Sequence, residues 1–559
     1  MHHVAIVAIV AMRPYLVLIV LCLALYLPGL AAVPPLDRDE ARFAQATRQM
    51  LETNDFVRIR FQETPRHKKP AGIYWLQAAT VTVTGDAAAI WSYRLPSVAG
   101  AVMAVLLTFH FGQALFDRRT AWLGAALLGS ALMVVIEAHQ AKTDAVLLAC
   151  VVAAQGALAR FYGHVAPTSS PRTPPGLGTA IVFWLAQGIG ILIKGPIVPL
   201  VSGLTLVGLG VWERRWPRWL WALRPLVGVP VLIAVVAPWL VAVSLATDGA
   251  FIGEAVRTDL LPKVLGAQES HGAPPGYFLL LTAFMFWPAS LFLWPALVRS
   301  WRVRNESAVR FCLAWVGPTW LLFEAVPTKL PHYILPVYPA LALLVAAAVL
   351  SGEVPSPLAA RWARAWYGLW AVLTAALAGG FLAAPVLFGR EAMPWSALPA
   401  AGAVLAAAGG AVWFAWRRRF LPAMAGASVG AGLAVGIVFA GLMPSLNALW
   451  LSQRVHDALA PHARSKVVTA GYHEPSLVFL LGTTTILADG KGAALHLART
   501  PSAVAVVSRS EDEPFRQALA AQGLKPELLS VVDGLNYSRG RRETLHLYRA
   551  EQGTSFPSP

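Results

Sequence analysis

The sequence predicts a polytopic α-helical membrane protein with about thirteen transmembrane helices, interfacial helices in the first outward-facing loop, and a small C-terminal α/β domain. Three observations carry this. Of 559 residues, 57% are hydrophobic and 13% charged, with a mean hydropathy of +0.58, whereas a soluble domain carries about twice that charge fraction. Apolar runs near membrane length recur along the chain, and the loops between them alternate in charge. Beyond residue 447 the pattern changes to short Val- and Leu-rich runs separated by turns. The net charge of +16 belongs to loops facing the cytoplasm, not to a nucleic-acid footprint.

The spans are expected near 13–33, 93–116, 119–137, 144–162, 179–193, 196–212, 222–246, 276–298, 308–326, 331–350, 363–388, 395–416 and 420–444. The first lacks a small-residue cleavage site where a signal peptide has one, so it is expected to stay in place. The pair 179–212 is interrupted by Lys194-Gly195-Pro196 and could be one irregular unit. Alternate loops hold Arg118/Arg119, Arg160/Arg172, Arg214/Arg215/Arg218/Arg224, Arg299/Arg302/Arg304, Arg361/Arg364 and Arg417–Arg419. By the positive-inside rule these are cytoplasmic, which puts the N-terminus inside and the C-terminus outside. Cys22, Cys150 and Cys312 lie in apolar runs and read as buried thiols, without metal-ligand spacing.

The opposite loops mix acids, bases, His and Tyr at helix mouths: "LDRDEARFAQATRQM", "RHKKPAGIYW", "EAHQAKTD", "IKGP", "DLLPKVLGAQESHGAPPGY" and "VPTKLPHYILP". Functional polar groups therefore gather on one face. The first of these loops, 34–92, is long enough to need structure or function of its own. Phe43, Ala46 or Thr47, Met50 and Leu51 recur at helical spacing, predicting an amphipathic helix in the membrane interface. Asp39 and Glu40 begin it, where a helix dipole favours acids; a simple cap is the alternative reading of Asp39. Tyr74 and Trp75 suit the headgroup level, and Lys68 and Lys69 could serve only to attract lipid phosphates.

In the last stretch "SKVVTAGYH", "LVFLLG", "AVAVVSR" and "ETLHLYRA" read as strands, and "DEPFRQALAAQG" as a helix ended by Gly523. The domain plan is 1–446 in the membrane, 447–550 outside it, and a disordered tail 551–559. His473 and Glu474 are expected on the outer surface.

The stretch "DRDEARFAQATRQMLETNDFVRIRFQETPRHKKPAGIYWLQA", with "AKTDAVLLA", "LIKGPIVPL" and "PTKLPHYILPVYPALALL", resembles the bacterial aminoarabinose transferases. These belong to the protein mannosyltransferase-like, C-type membrane glycosyltransferases. The resemblance covers the membrane region, and the C-terminal domain in position and size only. It implies an inner-membrane enzyme that takes a sugar from a polyprenyl-phosphate carrier on the periplasmic face. The acceptor would be lipid A or another envelope glycolipid. By the same resemblance Asp39 and Asp144 are the active-site carboxylates, while Lys69, Lys329 and Tyr333 hold the carrier phosphate. Lys263 stands where relatives often place a further basic residue. One departure is Lys68, where many members have an acid linked in some to a metal. A divalent metal is thereby disfavoured, and the sequence shows no required cofactor.

Such chemistry needs a carboxylate to take the acceptor proton, which adds roughly 10²–10⁴-fold. Asp39 is the expected base, with Asp144 as alternative or orienting partner. A polyprenyl phosphate leaves without a general acid, but needs fixed cations and phenol donors in a partly dry cavity. Lys69, Lys263, Lys329, Tyr333 and Lys194 have that chemistry. Glu40, Lys68, Lys194, His271 and His332 are further candidates for substrate contact, with Arg38 and Glu40 expected to orient the loop. Each has a plainer reading: snorkelling for Lys194, an interfacial hydrogen bond for His332, and loop capping for His271. Glu137 and His139 could merely end the third span. A transporter or flippase is the competing class, but no internal repeat is evident and the charges sit at one face, not at midplane.

Overall fold

The computed structural model describes residues 2–165, 175–214, 218–254, 257, 273–353, 357–389, 395–462 and 465–551. Lys263, His271 and the tail 552–559 lie outside the described residues. Among those described, eight helices are long and apolar enough to cross a membrane, and ten if each of two sharply bent pairs is one span. The chain is a multi-pass membrane protein.

The first helix, α1 (His2–Tyr26), ends earlier than its apolar run does. Pro28 and Gly29 follow, and Gly29 adopts φ +77 with its α-carbon against the Phe439 carbonyl, where a Cβ would lie 2.1 Å from the oxygen. Then come α2 (Asp39–Thr53), a two-residue hairpin β1 (Arg60–Phe61) and β2 (Thr64–Pro65), and α3 (Gly72–Thr84). Next are α4 (Ile90–Gly112), the pair α5 (Arg118–Ser130) and α6 (Leu132–Ala138) bent by 60°, and α7 (Asp144–Val165). Helices α8 (Leu177–Lys194), α9 (Ile197–Glu213) and α10 (Pro225–Ala246) follow. Gly195, at φ +69, separates α8 from α9 as the Lys-Gly-Pro break predicts. Helix α7 is the most enclosed of these; at Gly100 the α4 backbone meets it so closely that a Cβ would sit 2.7 Å from the Val146 α-carbon, the small-residue contact common between membrane helices. The three cysteines are free and buried, as read.

Two expectations for the first loop change. Helix α2 is buried on most of its circumference, not laid on a surface. Its polar residues are paired: Thr47 donates to Gln77 of α3 at 2.7 Å, Gln45 to Thr483 at 2.7 Å and Gln49 to the Gln62 carbonyl at 2.7 Å. Tyr74 is fully buried and held by Arg66 at 3.1 Å, so its ring packs inside the protein and not against lipid headgroups.

After residue 465 a five-stranded sheet forms from β3 (Val467–Ala470), β4 (Ile486–Ala488), β5 (Val504–Ser508), β6 (Lys525–Asn536) and β7 (Arg541–Glu551). Its order is β4-β3-β5-β7-β6, with β3 parallel to β4 and β5, and β7 antiparallel to β5 and β6. The run "LVFLLG" is a helix, Pro475–Leu481, not a strand. Proline suits a first helical turn, and a short apolar run does not itself distinguish a buried helix from a strand.

Candidate active site

The site begins with a buried arginine. Arg94 of α4 is fully enclosed and donates to the carbonyls of Leu30 and Val33, both at 2.7 Å, and of Pro34 at 3.1 Å. Its guanidinium also grips Glu40, Nε to Oε1 at 2.8 Å and Nη2 to Oε2 at 2.9 Å. Glu40 accepts in addition from the Leu36 and Ala141 N–H groups, both at 2.8 Å. A carboxylate with four donors is a structural joint. It ties the loop carrying Asp39 to the turn carrying Asp144, residues remote in sequence.

Between these two loops lies a cavity of 330 Å³ lined by both acids. Asp39 is exposed in it and, among the described residues, accepts no hydrogen bond. Asp144, in the first turn of α7, is buried and pairs with Lys194 Nζ at 2.5 Å, with the Thr143 hydroxyl at 3.3 Å. Lys194 therefore turns inward and does not snorkel. Its ammonium also stands 5.7 Å from the centre of the Tyr333 ring, within cation–π range. His332 lies between acids, 3.8 Å from Asp144 Oδ1 and 3.9 Å from Glu137 Oε1. Glu137 does more than end a helix, since Lys142 meets it at 2.9 Å. Burial alone would lower the Lys142 ammonium, but the carboxylates of Glu137 and Asp144 outweigh it and hold it above its ordinary value.

Lys68, Lys69 and Tyr333 complete the wall, with Arg42, Arg66 and Lys142 beside them. Those last three were not singled out in the sequence, although each lies within the quoted loops. Lys329 is the one described candidate that does not line the cavity. Its ammonium is spent on the carbonyls of Ala273 and Val326, both at 2.9 Å. Glu474 also departs from expectation, being only 6% exposed and bound by Asn536 at 2.9 Å, while His473 is exposed.

Seven lysine and arginine side chains line the cavity against four carboxylates, Asp37, Asp39, Glu40 and Asp144; a lining with this excess of cations suits an anionic ligand such as a phosphate. Among the described residues no group of three or more His, Cys, Asp or Glu side chains could hold a metal.

Comparison with known proteins gives what this chain is similar to. Residues 11–247 match the dolichyl-phosphate-mannose-protein mannosyltransferase family, the superfamily to which the loop motifs pointed. More particularly, the chain is 30% identical over 318 residues to an undecaprenyl phosphate-alpha-4-amino-4-deoxy-L-arabinose arabinosyl transferase of Pseudomonas paraeruginosa, covering 56% of this chain and 55% of that one. To the enzyme of the same name from Erwinia tasmaniensis it is 28% identical over 313 residues, covering 55% and 54%. The chain spans about half the length of the curated relatives it matches. Among solved structures, ArnT from Cupriavidus metallidurans bound to undecaprenyl phosphate superposes with a TM-score of 0.71 at 20% identity, covering 96% of this chain and 98% of that one. An archaeal oligosaccharyltransferase, AglB from Archaeoglobus fulgidus, gives 0.52 at 11% identity, covering 91% and 71%. At these identities the likeness is one of fold.

Proposed function

We propose that the protein is a membrane glycosyltransferase. It moves a sugar, aminoarabinose-like or another pentose or hexose, from a polyprenyl-phosphate carrier to an envelope acceptor such as lipid A. The observation that carries this reading is the single cavity shared by Asp39, Asp144, Lys68, Lys69, Lys194 and Tyr333. Supporting it, the relatives are named for transfer from undecaprenyl phosphate.

Asp39, exposed to the cavity, takes the proton of the acceptor hydroxyl or phosphate as it attacks the anomeric carbon. Asp144 is already paired with Lys194, so its role is to fix that ammonium beside the reacting centre. The carrier phosphate departs toward Lys68, Lys69, Lys194 and Tyr333, which neutralise charge as the glycosidic bond breaks. Lys263 and His271 keep their places as candidates for carrier and acceptor contact. Lys329 acts through the loop it closes. An apolar cavity of 500 Å³ bordered by Phe183, Trp184, Pro199 and Leu206 lies along α8 and α9, the helices that meet at Lys194; it suits the carrier's isoprenoid tail.

The same reading places the enzyme in the inner membrane with thirteen spans. These are the eight long helices, the two bent pairs, and Met12–Tyr26, Ile197–Glu213 and Ser307–Ala325. Residues 1–446 form the transferase domain and 447–550 a periplasmic α/β domain, with the N-terminus cytoplasmic.

Transfer of aminoarabinose from a synthetic polyprenyl-phosphate donor to lipid A, in detergent or nanodiscs, tests it. Asp39→Asn is expected to lower kcat by at least about 10²-fold with donor KM little changed. Asp144→Asn should impair both, because it releases Lys194. Full activity in both folded variants would sink the carboxylate mechanism. Movement of unmodified donor across vesicles would instead indicate a transporter.

A further inference from the structure

The backbone just before Asp39 is unusual. Arg38 has φ +64 and ψ −104, a region that side chains with a Cβ rarely occupy. Such a conformation persists only where its surroundings over-determine it. From one side it is held by the joint of Glu40 and Arg94. From the other it is held by the C-terminal sheet. The Asp37 N–H donates to the Tyr537 hydroxyl at 2.6 Å, and the Arg38 guanidinium donates to the Ser538 carbonyl. Asp37 Oδ1 accepts from the Ser476 N–H at 3.2 Å.

Tyr537 and Ser538 form the tip connecting β6 to β7, and this tip is braced. Asn536 donates to the buried Glu474 at 2.9 Å, Arg539 lies 3.5 Å from the same carboxylate, and the Arg539 N–H donates to Asn536 Oδ1 at 3.1 Å. The rest of the sheet unit grips α2 further along, through Gln45 to Thr483 and Arg48 to the Phe479 carbonyl at 2.9 Å. So the hairpin tip meets the two residues that immediately precede Asp39, at the backbone N–H of Asp37 and the side chain of Arg38.

We propose that the β6–β7 tip, through Tyr537 and Ser538, is a positioning element for the transfer reaction, holding residues 37 and 38 so that Asp39 faces the cavity. This rests on the reading of Asp39 as the acceptor's base. Neither Tyr537 nor Ser538 lines the cavity; they act through the turn. The inference gives the C-terminal unit a role in turnover without assigning it a substrate.

The test uses the full chain in nanodiscs, with the synthetic polyprenyl-phosphate aminoarabinose and lipid A assay. Tyr537→Phe removes one hydroxyl, and Arg38→Ala removes the contact to Ser538. Each should lower kcat by about ten- to a hundredfold, the cost of a misplaced reacting group, with donor KM and melting midpoint nearly unchanged. Hydrogen exchange across residues 36–42 should quicken in both. Arg38→Lys, which retains a donor for the Ser538 carbonyl, should recover most of the turnover. Unchanged exchange in Tyr537→Phe would overturn the proposal. So would faster exchange with full kcat while Asp39→Asn is inactive, or a loss confined to KM or to melting. If Asp39→Asn is itself fully active, the base assignment fails on its own. The positioning of residues 36–42 by the hairpin then stands or falls on the exchange measurement.

Discussion

Asp37 is among the residues lining the cavity, in a setting that favours its neutral form. Burial, chiefly, pushes its carboxyl up to about 7; Glu474 adds to this, while Ser476 and Arg42 act against it. Tyr472 and Tyr537 are the other titratable groups facing it. Because the folded value is raised, the proton is bound more tightly when the turn is docked. Its contribution to stability is present in full below the ordinary carboxylate value and is lost as pH rises through about 7. The melting midpoint of the wild type should therefore fall more steeply between about pH 4 and 7 than that of Asp37→Asn, which stays neutral throughout. Equal slopes in the two proteins would refute this. The same scale shows what a sequence conveys about a site. The loops holding Asp39, Lys68, Lys69, Asp144 and Tyr333 were legible because they mix charges at helix mouths, where ordinary lipid-facing sequence does not; the family resemblance singled out residues within them. Lys329 lies apart from the cavity in this structure because the direction of a lysine side chain is decided by which carbonyls its loop leaves open. Those of Ala273 and Val326 are supplied only by the folded chain.

At the scale of elements, the joint between α1, α2 and α4 decides whether the two acids meet. Arg94 makes five hydrogen bonds, three to carbonyls of the turn after α1 and two to Glu40. The ion pair is fully enclosed and its polar atoms are satisfied, so losing one partner leaves a buried charge uncompensated. Arg94→Ala is expected to cost about 3–5 kcal/mol, read as a large drop in melting midpoint and in yield of folded protein. Arg94→Lys cannot reproduce the fork and should fall between. An Arg94→Ala protein as stable as wild type would show that the joint is dispensable. Nothing in the sequence marked Arg94, which sits in an otherwise apolar helix; only its rarity at such depth was a signal. The amphipathic period of α2, by contrast, was plain. What lay beyond reach was the partner. The α2 residues Gln45, Thr47 and Gln49 are polar, yet each is buried and paired by α3, the β1–β2 hairpin or the sheet unit.

For the whole molecule, the number of spans fixes which side each terminus occupies, and parity makes the question sharp. Length and composition alone admit eight or ten spans among the described residues, even numbers that put both ends on one side. Loop charge argues for thirteen, an odd number that separates them. Three further helices make the difference: the shorter Met12–Tyr26 and Ile197–Glu213, and the 19-residue Ser307–Ala325. A hydrophobic stretch shorter than the bilayer is accommodated by local thinning or by snorkelling of its flanking residues, at modest cost. The chain is suited to a labelling test, because Cys22, Cys150 and Cys312 are all buried and give little background. Arg118→Cys and Arg418→Cys probe arginine-rich loops, and Lys525→Cys probes the C-terminal sheet; all three positions are exposed. With thirteen spans, an impermeant maleimide added to intact spheroplasts should label Lys525→Cys alone. The two loop positions should react only after lysis. Labelling of Lys525→Cys only after lysis would put the sheet in the cytoplasm. It would carry Asp39 with it, since residues 37 and 38 are bonded to that sheet. The proposed periplasmic chemistry would then be on the wrong face.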